Sequence, residues 1–224
     1  MIGKIFSMPN ILNMDPAGCR RCGTCCRKGG PALHGVDLAL VRSGAIPLSC
    51  LYTIRPGEAV TDNVCGGVSV ADGDIIKIKS KTDAAACVFL DAPGNSCRIY
   101  ADRPLECREM ACWDTDSIRR VYAWDRLDRG RIIEEFSSLA ELVAIHEAEC
   151  NMGFIARLID LRKNGDTHAA ADIAGRISYD ADLRKQAVSA QPGVTGILDF
   201  LFGRPLCLII PLQFGVPVRR SPIA

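Results

Sequence analysis

Four cysteines lie within eight residues near the start of the chain: Cys19, Cys22, Cys25 and Cys26. A C-x-x-C turn lets two sulfurs approach one ion, and Gly23 permits the backbone angles that such a turn needs. Adjacent side chains of an extended segment point to opposite sides, so Cys25 and Cys26 favour different metal positions. The first cluster therefore indicates two metals, or one metal cluster with a spare thiol.

A second group of cysteines follows at separations of ten, ten and five residues: Cys87, Cys97, Cys107 and Cys112. Neither group alone reproduces the spacing of a ferredoxin or a radical-SAM triad, whereas eight thiols together can complete two four-sulfur sites. We therefore predict that the two groups converge in space and that all eight cysteines are metal ligands. Zn²⁺ and an iron–sulfur cluster both remain open, because thiolates bind either.

Basic residues flank the proposed ligands throughout both groups. Guanidinium groups lower thiol pKa values and offset the negative charge of a tetrathiolate site. Ordinary solvated surface is an equally good interpretation for any single one of them. The residues concerned are Arg20, Arg21, Arg27, Lys28, Arg98, Arg103 and Arg108.

Three other features are weaker candidates for metal chemistry. His34 can bind zinc, but a single histidine in a Gly/Pro-rich loop is more often exposed. His146 and Cys150 share one helical face with Glu147 between them, as in a zinc protease helix, yet they fall in an apolar stripe that favours core packing. Cys50 and Cys65 lie beside strand-like segments and fit buried apolar positions. We assign no role to the carboxylates Glu106, Glu109, Asp114 and Asp116.

Composition limits the remaining possibilities. The chain has 224 residues, 48% of them hydrophobic, and a net charge of +1, so we expect no nucleic-acid partner. Residues 1–12 lack the apolar core of a secretory signal, which predicts a cytoplasmic protein. The apolar stretch 194–216 is interrupted by charged residues and prolines, so we interpret it as a packed tail and not as a membrane anchor. A surface for a protein partner is the alternative interpretation of this tail.

The elements that must position these residues change along the chain. Residues 15–118 have short, turn-rich patterns, including helical turns at 36–43, a strand at 48–54, and a hairpin joining 68–70 to 74–79. Asp102 is expected to cap a short helix that starts near Pro104 and carries Cys107. Apolar residues then recur at helical spacing from Ile132 to Leu161, which predicts one long helix, with further helices toward residue 177 and around 181–188.

These patterns predict an α+β fold, in which a small cysteine-rich metal-binding domain with short strands carries a helical C-terminal extension. The expected divisions are a lead at 1–14, the cysteine-cluster domain at 15–118, the helical extension at 119–192 and the apolar tail at 193–224. The tail is expected to pack on the cysteine domain.

The motifs together resemble one known family. They read C-x2-C-G-x-C-C from Cys19, C-V-F-L-D from Cys87, and C-R-I-Y-x-x-R-P-x-x-C-R from Cys97. This pattern resembles the YkgJ-type cysteine cluster family, described as zinc- or iron-chelating proteins, over about residues 19–112. The resemblance implies a metal or iron–sulfur site built from these cysteines in a bacterial cytoplasmic protein. The family also resembles the larger flagellin lysine N-methylases.

Two functions follow as expectations. The first is a metal-binding protein that holds zinc or an iron–sulfur cluster through its multi-cysteine site. The alternative is an iron–sulfur enzyme that carries out redox or group-transfer chemistry, such as a methylase-like modification of a protein side chain. The sequence shows no methyl-donor pocket, phosphate loop or catalytic triad, so it names no substrate.

Overall fold

The computed structural model describes residues 19–62, 66–82, 84–91, 93–111 and 113–218. Within them short antiparallel strands accompany many helices, which confirms the expected α+β class. The proposed lead at 1–14 lies outside the described residues, as do Cys65, Cys112 and the last six residues of the tail.

The described strands form three two-stranded antiparallel sheets. β1 (Leu51–Ile54) pairs with β4 (Ile75–Ile78), β2 (Ala59–Thr61) with β3 (Val68–Val70), and β5 (Leu90–Asp91) with β6 (Ser96–Cys97). The predicted hairpin between 68–70 and 74–79 is therefore wrong. Burial explains the actual pairing: β1 and β4 are mostly buried and pack together, whereas all of β3 is exposed and pairs only with β2.

The helices lie mainly in the second half of the chain. They are α1 (Leu38–Arg42), α2 (Leu105–Glu109), α3 (Asp116–Val121), α4 (Arg129–Ile133), α5 (Ser137–Cys150), α6 (Met152–Lys163), α7 (Ala169–Ala190), α8 (Leu198–Phe202) and α9 (Leu206–Phe214). Short 3₁₀ helices occur at Cys26–Lys28, Gly35–Asp37, Leu48–Cys50 and Pro192–Ile197. The strand expected from residue 48 thus begins only at Leu51.

The single long helix expected from residue 132 to 161 is wrong, because three helices, α4, α5 and α6, cover this range. The last break falls at Asn151, whose backbone is extended. Its side-chain oxygen accepts the N–H of Phe154 at 2.8 Å, so Asn151 caps the start of α6. The apolar spacing continues through these breaks, which is why periodicity alone did not detect them.

The two further helices expected after residue 166 form one helix, α7. Asp166 accepts the N–H groups of His168 and Ala169 at 2.8 and 3.2 Å, where this helix begins. The chain therefore has a 22-residue helix against which α5, α6 and α9 pack.

The apolar stretch near the C-terminus is held inside the protein by polar side chains. Phe200, Leu201 and Phe202 are fully buried in α8, beside β1. Thr53 donates to the carbonyl of Phe200, Arg129 to that of Leu201, and Arg184 to that of Gly203. The carboxylate of Asp180 accepts the N–H of Leu206 at 2.9 Å, where α9 begins. These bonds satisfy backbone groups that would otherwise be buried without partners.

By length and composition, Pro192–Phe214 would suffice to cross a membrane, with a mean hydropathy of 1.6. In the structure half of its apolar window is buried, and the stretch is divided into a 3₁₀ helix, α8 and α9. Buried core helices of proteins in water have the same composition.

Candidate metal centre

The first cysteine loop is joined directly to the second cysteine group. Cys26 begins a 3₁₀ turn, which the bond from Lys28 N–H to the carbonyl of Cys25 closes at 3.0 Å. Gly23 has a φ of 72°, which is a left-handed backbone conformation of the kind expected for a glycine in the cysteine turn. The amide N–H of Cys87 donates to the carbonyl of Cys26 at 2.7 Å. The two groups of cysteines therefore meet at Cys26 and Cys87.

Arginines of the first loop contact the second half of the motif. The guanidinium of Arg20 lies 4.3 Å from the ring centroid of Trp113, and that of Arg21 lies 4.0 Å from the ring of Tyr100. Arg103 stacks on the same Tyr100 ring at 3.9 Å. Such contacts contribute about 0.5–1 kcal/mol each at exposed sites. Arg20 and Arg21 are exposed, and their ring contacts connect the first loop to the second half of the motif.

Each cysteine of the second group comes from a different local structure. Cys87 forms an isolated bridge with Ser80 just after β4, and Cys97 lies in β6 opposite Leu90. Cys107 lies in α2. The short sheet β5–β6 brings the first two together, and the turn after it returns the chain to place α2 nearby.

The thiol of Cys26 is surrounded by other thiols. Its hydrogen bond with Cys25 is the main reason that its pKa is raised far above the ordinary value, and burial adds to this. The charges of Cys25, Cys107 and Cys87 raise the pKa of Cys26 further. Charge repulsion of this kind requires the sulfurs to lie near one another.

The pKa values of two other thiols are raised for similar reasons. Burial is the main reason that the pKa of Cys107 is raised, and repulsion from Cys87, Cys25 and Cys97 adds to it. Burial also raises the pKa of Cys87, and Cys97 raises it further. Cys26 and Cys97 also pack against the hydrophobic core that contains Cys87. We call Cys25, Cys26, Cys87, Cys97 and Cys107, which influence one another's pKa values, the five-thiol group.

The donor chemistry of the five-thiol group fits zinc or iron, since thiolates are soft ligands for both. A bound cation favours the deprotonated thiols that are disfavoured by burial and mutual repulsion. Among the described residues, however, no three Cys, His, Asp or Glu side chains already form a ligand set. A hydrogen bond links the thiols of Cys25 and Cys26.

Two of the remaining predicted ligands, Cys19 and Cys22, make hydrogen bonds within the first loop. Cys19 accepts the N–H of Arg21 on its sulfur at 3.3 Å, and the exposed Cys22 donates from its thiol to Thr24 at 3.3 Å. Both lie in the same loop as Cys25, a few residues before it. Cys112 lies outside the described residues. None of the ten described cysteines forms a disulfide.

The helix that carries Cys107 is anchored by a buried carboxylate. Asp37 accepts the N–H of Leu105 at 2.9 Å and the N–H of His34 at 3.0 Å. The expected cap, Asp102, does not cap this helix, and Pro104 stands at the cap position instead of inside the first turn. A carboxylate 68 residues away supplies the missing acceptor, which no local pattern in the sequence could have shown.

The interpretation of His34 as an exposed residue is wrong, because the structure buries it completely. Its Nδ1 hydrogen-bonds the carbonyl of Trp124, and its Nε2 lies 3.4 Å from Glu106. Burial lowers the pKa of His34, but the contacts with Glu106 and Trp124 outweigh it, so the pKa is raised overall. Glu106, to which we assigned no role, also accepts the N–H of Ala32 at 2.8 Å. In the sequence, only the adjacency of Glu106 to Cys107 indicated that Glu106 could have a role near the cysteines.

His146 and Cys150 are core residues, as their apolar context predicted, and both are fully buried. The Nε2 of His146 lies 2.8 Å from Asp180, and its ring stacks on Phe202 at 4.8 Å. Burial raises the pKa of Cys150 to about 12. This pair belongs to the polar network that holds the C-terminal stretch, away from the five-thiol group.

With this geometry in place, the comparison with known families assigns a class to the cysteine domain. Residues 18–126 match the model of the CxxCxxCC family, described as a "Putative zinc- or iron-chelating domain". The match covers just under half of the chain and confirms the family resemblance seen in the motifs. The N-terminal part of the chain is thus similar to a cysteine-cluster domain of the zinc- or iron-chelating class. No curated protein and no solved structure matches the chain significantly.

Proposed function

We propose that the five-thiol group holds zinc or an iron–sulfur cluster, with Cys19, Cys22 and Cys112 as further candidate ligands. The observation that supports this most is the hydrogen bond from the N–H of Cys87 to the carbonyl of Cys26, which joins the two cysteine segments where Cys26 and Cys97 pack against the core that contains Cys87. Crowding so many potential anions is unfavourable without a cation, and a metal bound to the thiolates removes this cost.

Metal binding requires the side chains of this group to reorient. No three Cys, His, Asp or Glu side chains among the described residues already form a ligand set, so at least one sulfur must rotate to face a shared ion. Rotation about χ1 moves a thiol between staggered positions without a change of fold. The short 3₁₀ turn and the adjacent Gly23 permit this locally, while the bond from Cys87 to Cys26 keeps the two segments together.

The proposed site requires a reducing compartment, which supports our expectation of a cytoplasmic protein. Thiolates bind metal only while they are reduced, and oxidising compartments convert neighbouring cysteines into disulfides. An iron–sulfur enzyme that acts on a protein side chain is the second candidate. It is favoured by the guanidinium groups of Arg20, Arg21 and Arg103 beside the site, which suit a negatively charged cluster.

Anaerobic purification followed by metal analysis tests these proposals. We expect zinc or iron in a fixed ratio to the chain, and retention of the metal through a desalting column. A colourless protein containing zinc supports the binding module, whereas brown protein containing iron and acid-labile sulfide supports the iron–sulfur cofactor. A folded, fully reduced chain that takes up neither metal after reconstitution would overturn the proposal.

The chain offers a matched control within this experiment. Cys107→Ser removes a sulfur of the five-thiol group, whereas Cys207→Ser removes one from a separate hydrophobic core in which buried residues of α6, α7 and α9 pack together. In each variant the serine is close in size to the cysteine that it replaces. The two variants therefore test the contribution of each sulfur to metal binding without a large change in packing. We expect metal loss in the first variant only.

A further inference from the structure

Two arginines from distant parts of the cysteine domain stack on one tyrosine ring. The guanidinium carbon of Arg21 lies 4.0 Å from the ring centroid of Tyr100, and that of Arg103 lies 3.9 Å from the same centroid. The two guanidinium carbons can therefore be no farther apart than the sum of these distances. The Nε of Arg103 also donates to the carbonyl of Tyr100 at 3.0 Å. Arg103 is thus held both by a ring contact and by a hydrogen bond.

Neither guanidinium group forms an ion pair with a carboxylate in the part of the chain that the structure describes. By contrast, Arg108 on the neighbouring helix α2 lies 3.7 Å from the carboxylate of Asp37. Within the same described residues, the side chain of Arg103 donates only from its Nε. Each guanidinium group carries five N–H donors, so most of those on Arg21 and Arg103 remain available to a ligand.

The surface around this arginine pair is basic. Residues 19–28 include four basic residues and no acidic residue. The four are all exposed, and they are Arg20, Arg21, Arg27 and Lys28. Arg103 is half-buried, so its charge is screened less by solvent and salt than a charge on the open surface. This surface therefore attracts anions, and Arg103 is placed to hold them.

An anion with several oxygens would relieve the repulsion between the two guanidinium groups. The attraction of each cation for the ring is modest at an exposed site, whereas an oxyanion that bonds to both groups is attracted to both charges. A phosphate monoester offers three acceptor oxygens and carries a charge of about −1.5 to −2 at neutral pH. This charge matches two arginines better than the single charge of a carboxylate does.

We infer that Arg21 and Arg103, stacked on Tyr100, form a binding site for the phosphate group of a small molecule, either the free ion or a phosphate monoester. Both guanidinium groups donate to the phosphate oxygens, and the ring of Tyr100 keeps the two groups close together. The site is built from side chains and not from a phosphate loop. This inference goes beyond the proposed function, because the site needs neither a metal nor a thiolate.

Calorimetric titration of the full-length reduced chain with inorganic phosphate at low ionic strength tests the site. We expect one phosphate per wild-type chain. Arg21→Gln and Arg103→Gln should each bind phosphate at least about tenfold more weakly, because each variant loses charge-assisted hydrogen bonds. Arg120→Gln is the control, since Arg120 is an exposed arginine of α3, and it should bind like the wild type. Far-UV circular dichroism verifies that each variant is folded.

Two further ligands identify the chemistry of the site in the wild type. Acetate should bind at least about tenfold more weakly than phosphate, because it carries only one charge. Methyl phosphate binding at least as tightly as inorganic phosphate indicates a monoester ligand, whereas tighter binding of inorganic phosphate indicates the free ion. Either result supports a phosphate site. Acetate binding as tight as that of phosphate overturns it.

Nuclear magnetic resonance of the wild-type chain gives a measurement that needs no variant. Addition of phosphate should shift the Nε–Hε signal of Arg103 and the ring protons of Tyr100 until the site is saturated. Shifts confined to other residues overturn the inference, even if the arginine variants bind phosphate weakly through a loss of folding.

Metal analysis separates the phosphate site from a role of these arginines in balancing the charge of a metal cluster. We expect Arg21→Gln and Arg103→Gln to contain as much metal as the wild type while they lose phosphate binding. Variants that lose metal but bind phosphate like the wild type overturn the inference. Absence of saturable phosphate binding to the wild type overturns it as well.

Discussion

The amide N–H of Cys87 donates to the carbonyl of Cys26 at 2.7 Å, and this single backbone bond joins two cysteine groups that are about sixty residues apart in sequence. It fixes the relative position of the segments before any metal binds. The side chains of Cys25, Cys97 and Cys107 then lie around the same region. A pre-positioned backbone lowers the conformational entropy that metal binding must overcome.

Loss of one sulfur should weaken metal binding strongly. Changes to residues around a ligand typically cost about 10–100-fold in metal affinity, so Cys107→Ser, which removes a proposed ligand, should cost at least that much. Competition with a chelator of known affinity measures the change. Cys150→Ser and Cys207→Ser should bind metal like the wild type, and metal loss in either would contradict the proposed ligand set.

Removal of the metal should unfold the cysteine domain before the helical region. The strands there have only two to four residues, so the domain has little regular structure of its own. Structural zinc contributes on the order of 10 kcal/mol of apparent binding free energy, comparable with the stability of a whole domain. Hydrogen exchange of each segment during chelator titration measures this. Protection across residues 19–62 and 66–82 should fall, while α7 retains its protection; equal protection before and after verified metal removal would refute the coupling.

Asp180 should contribute far more to stability than its exposed neighbour Asp182. The buried carboxylate of Asp180 accepts bonds from His146, Arg184 and Leu206. Removing one partner of such a buried network costs about 3–5 kcal/mol, so Asp180→Ala should lower the free energy of unfolding by that amount. Asp182→Ala, on the same helix, should change it by less than about 0.5 kcal/mol. Urea unfolding measures the free energy of unfolding of both variants. Similar decreases in the two variants would show that the buried network of Asp180 does not contribute to stability.

His146 should make the protein less stable as the pH falls below 6.5. Burial lowers the pKa of His146 in the folded state, so below its ordinary value of 6.5 the unfolded chain binds a proton that the folded chain does not. The stability conferred by neutral His146 is therefore present above pH 6.5 and is lost progressively below it. His146→Gln should remove this dependence of the free energy of unfolding on pH.

Urea unfolding of the wild type and His146→Gln at pH 7.5 and 5.5 measures the difference. The wild type should lose more stability than the variant between these two values. The exposed His168 provides the control, and His168→Gln should behave like the wild type. At lower pH the carboxylate of Asp180, with a pKa lowered to about 2, contributes a separate loss as the pH falls from its ordinary 3.8 toward 2.

The sequence by itself determined the class of chemistry and the class of fold. Four cysteines in the spacing of Cys19 to Cys26, with a glycine between them, indicate metal binding because thiols at this density have few other uses in a reducing compartment. The change from turn-rich to helical spacing indicated α+β correctly. These features are local, so they can be inferred from residue type and separation alone.

Only the tertiary structure decided which distant groups meet. The pairing of β1 with β4, the carboxylate of Asp37 at the start of α2, and the burial of His34 all depend on contacts across tens of residues. The breaks that end α4 and α5 depend on backbone conformation within an unbroken apolar pattern. Cys50 shows the same distinction most clearly. Its neighbours in sequence are those of a packed apolar residue. Only the segment of residues 79–80, which bonds to the carbonyl of Cys50 and bridges with Cys87, brings the two cysteines near each other, because side-chain proximity in a folded chain follows tertiary packing and not sequence separation.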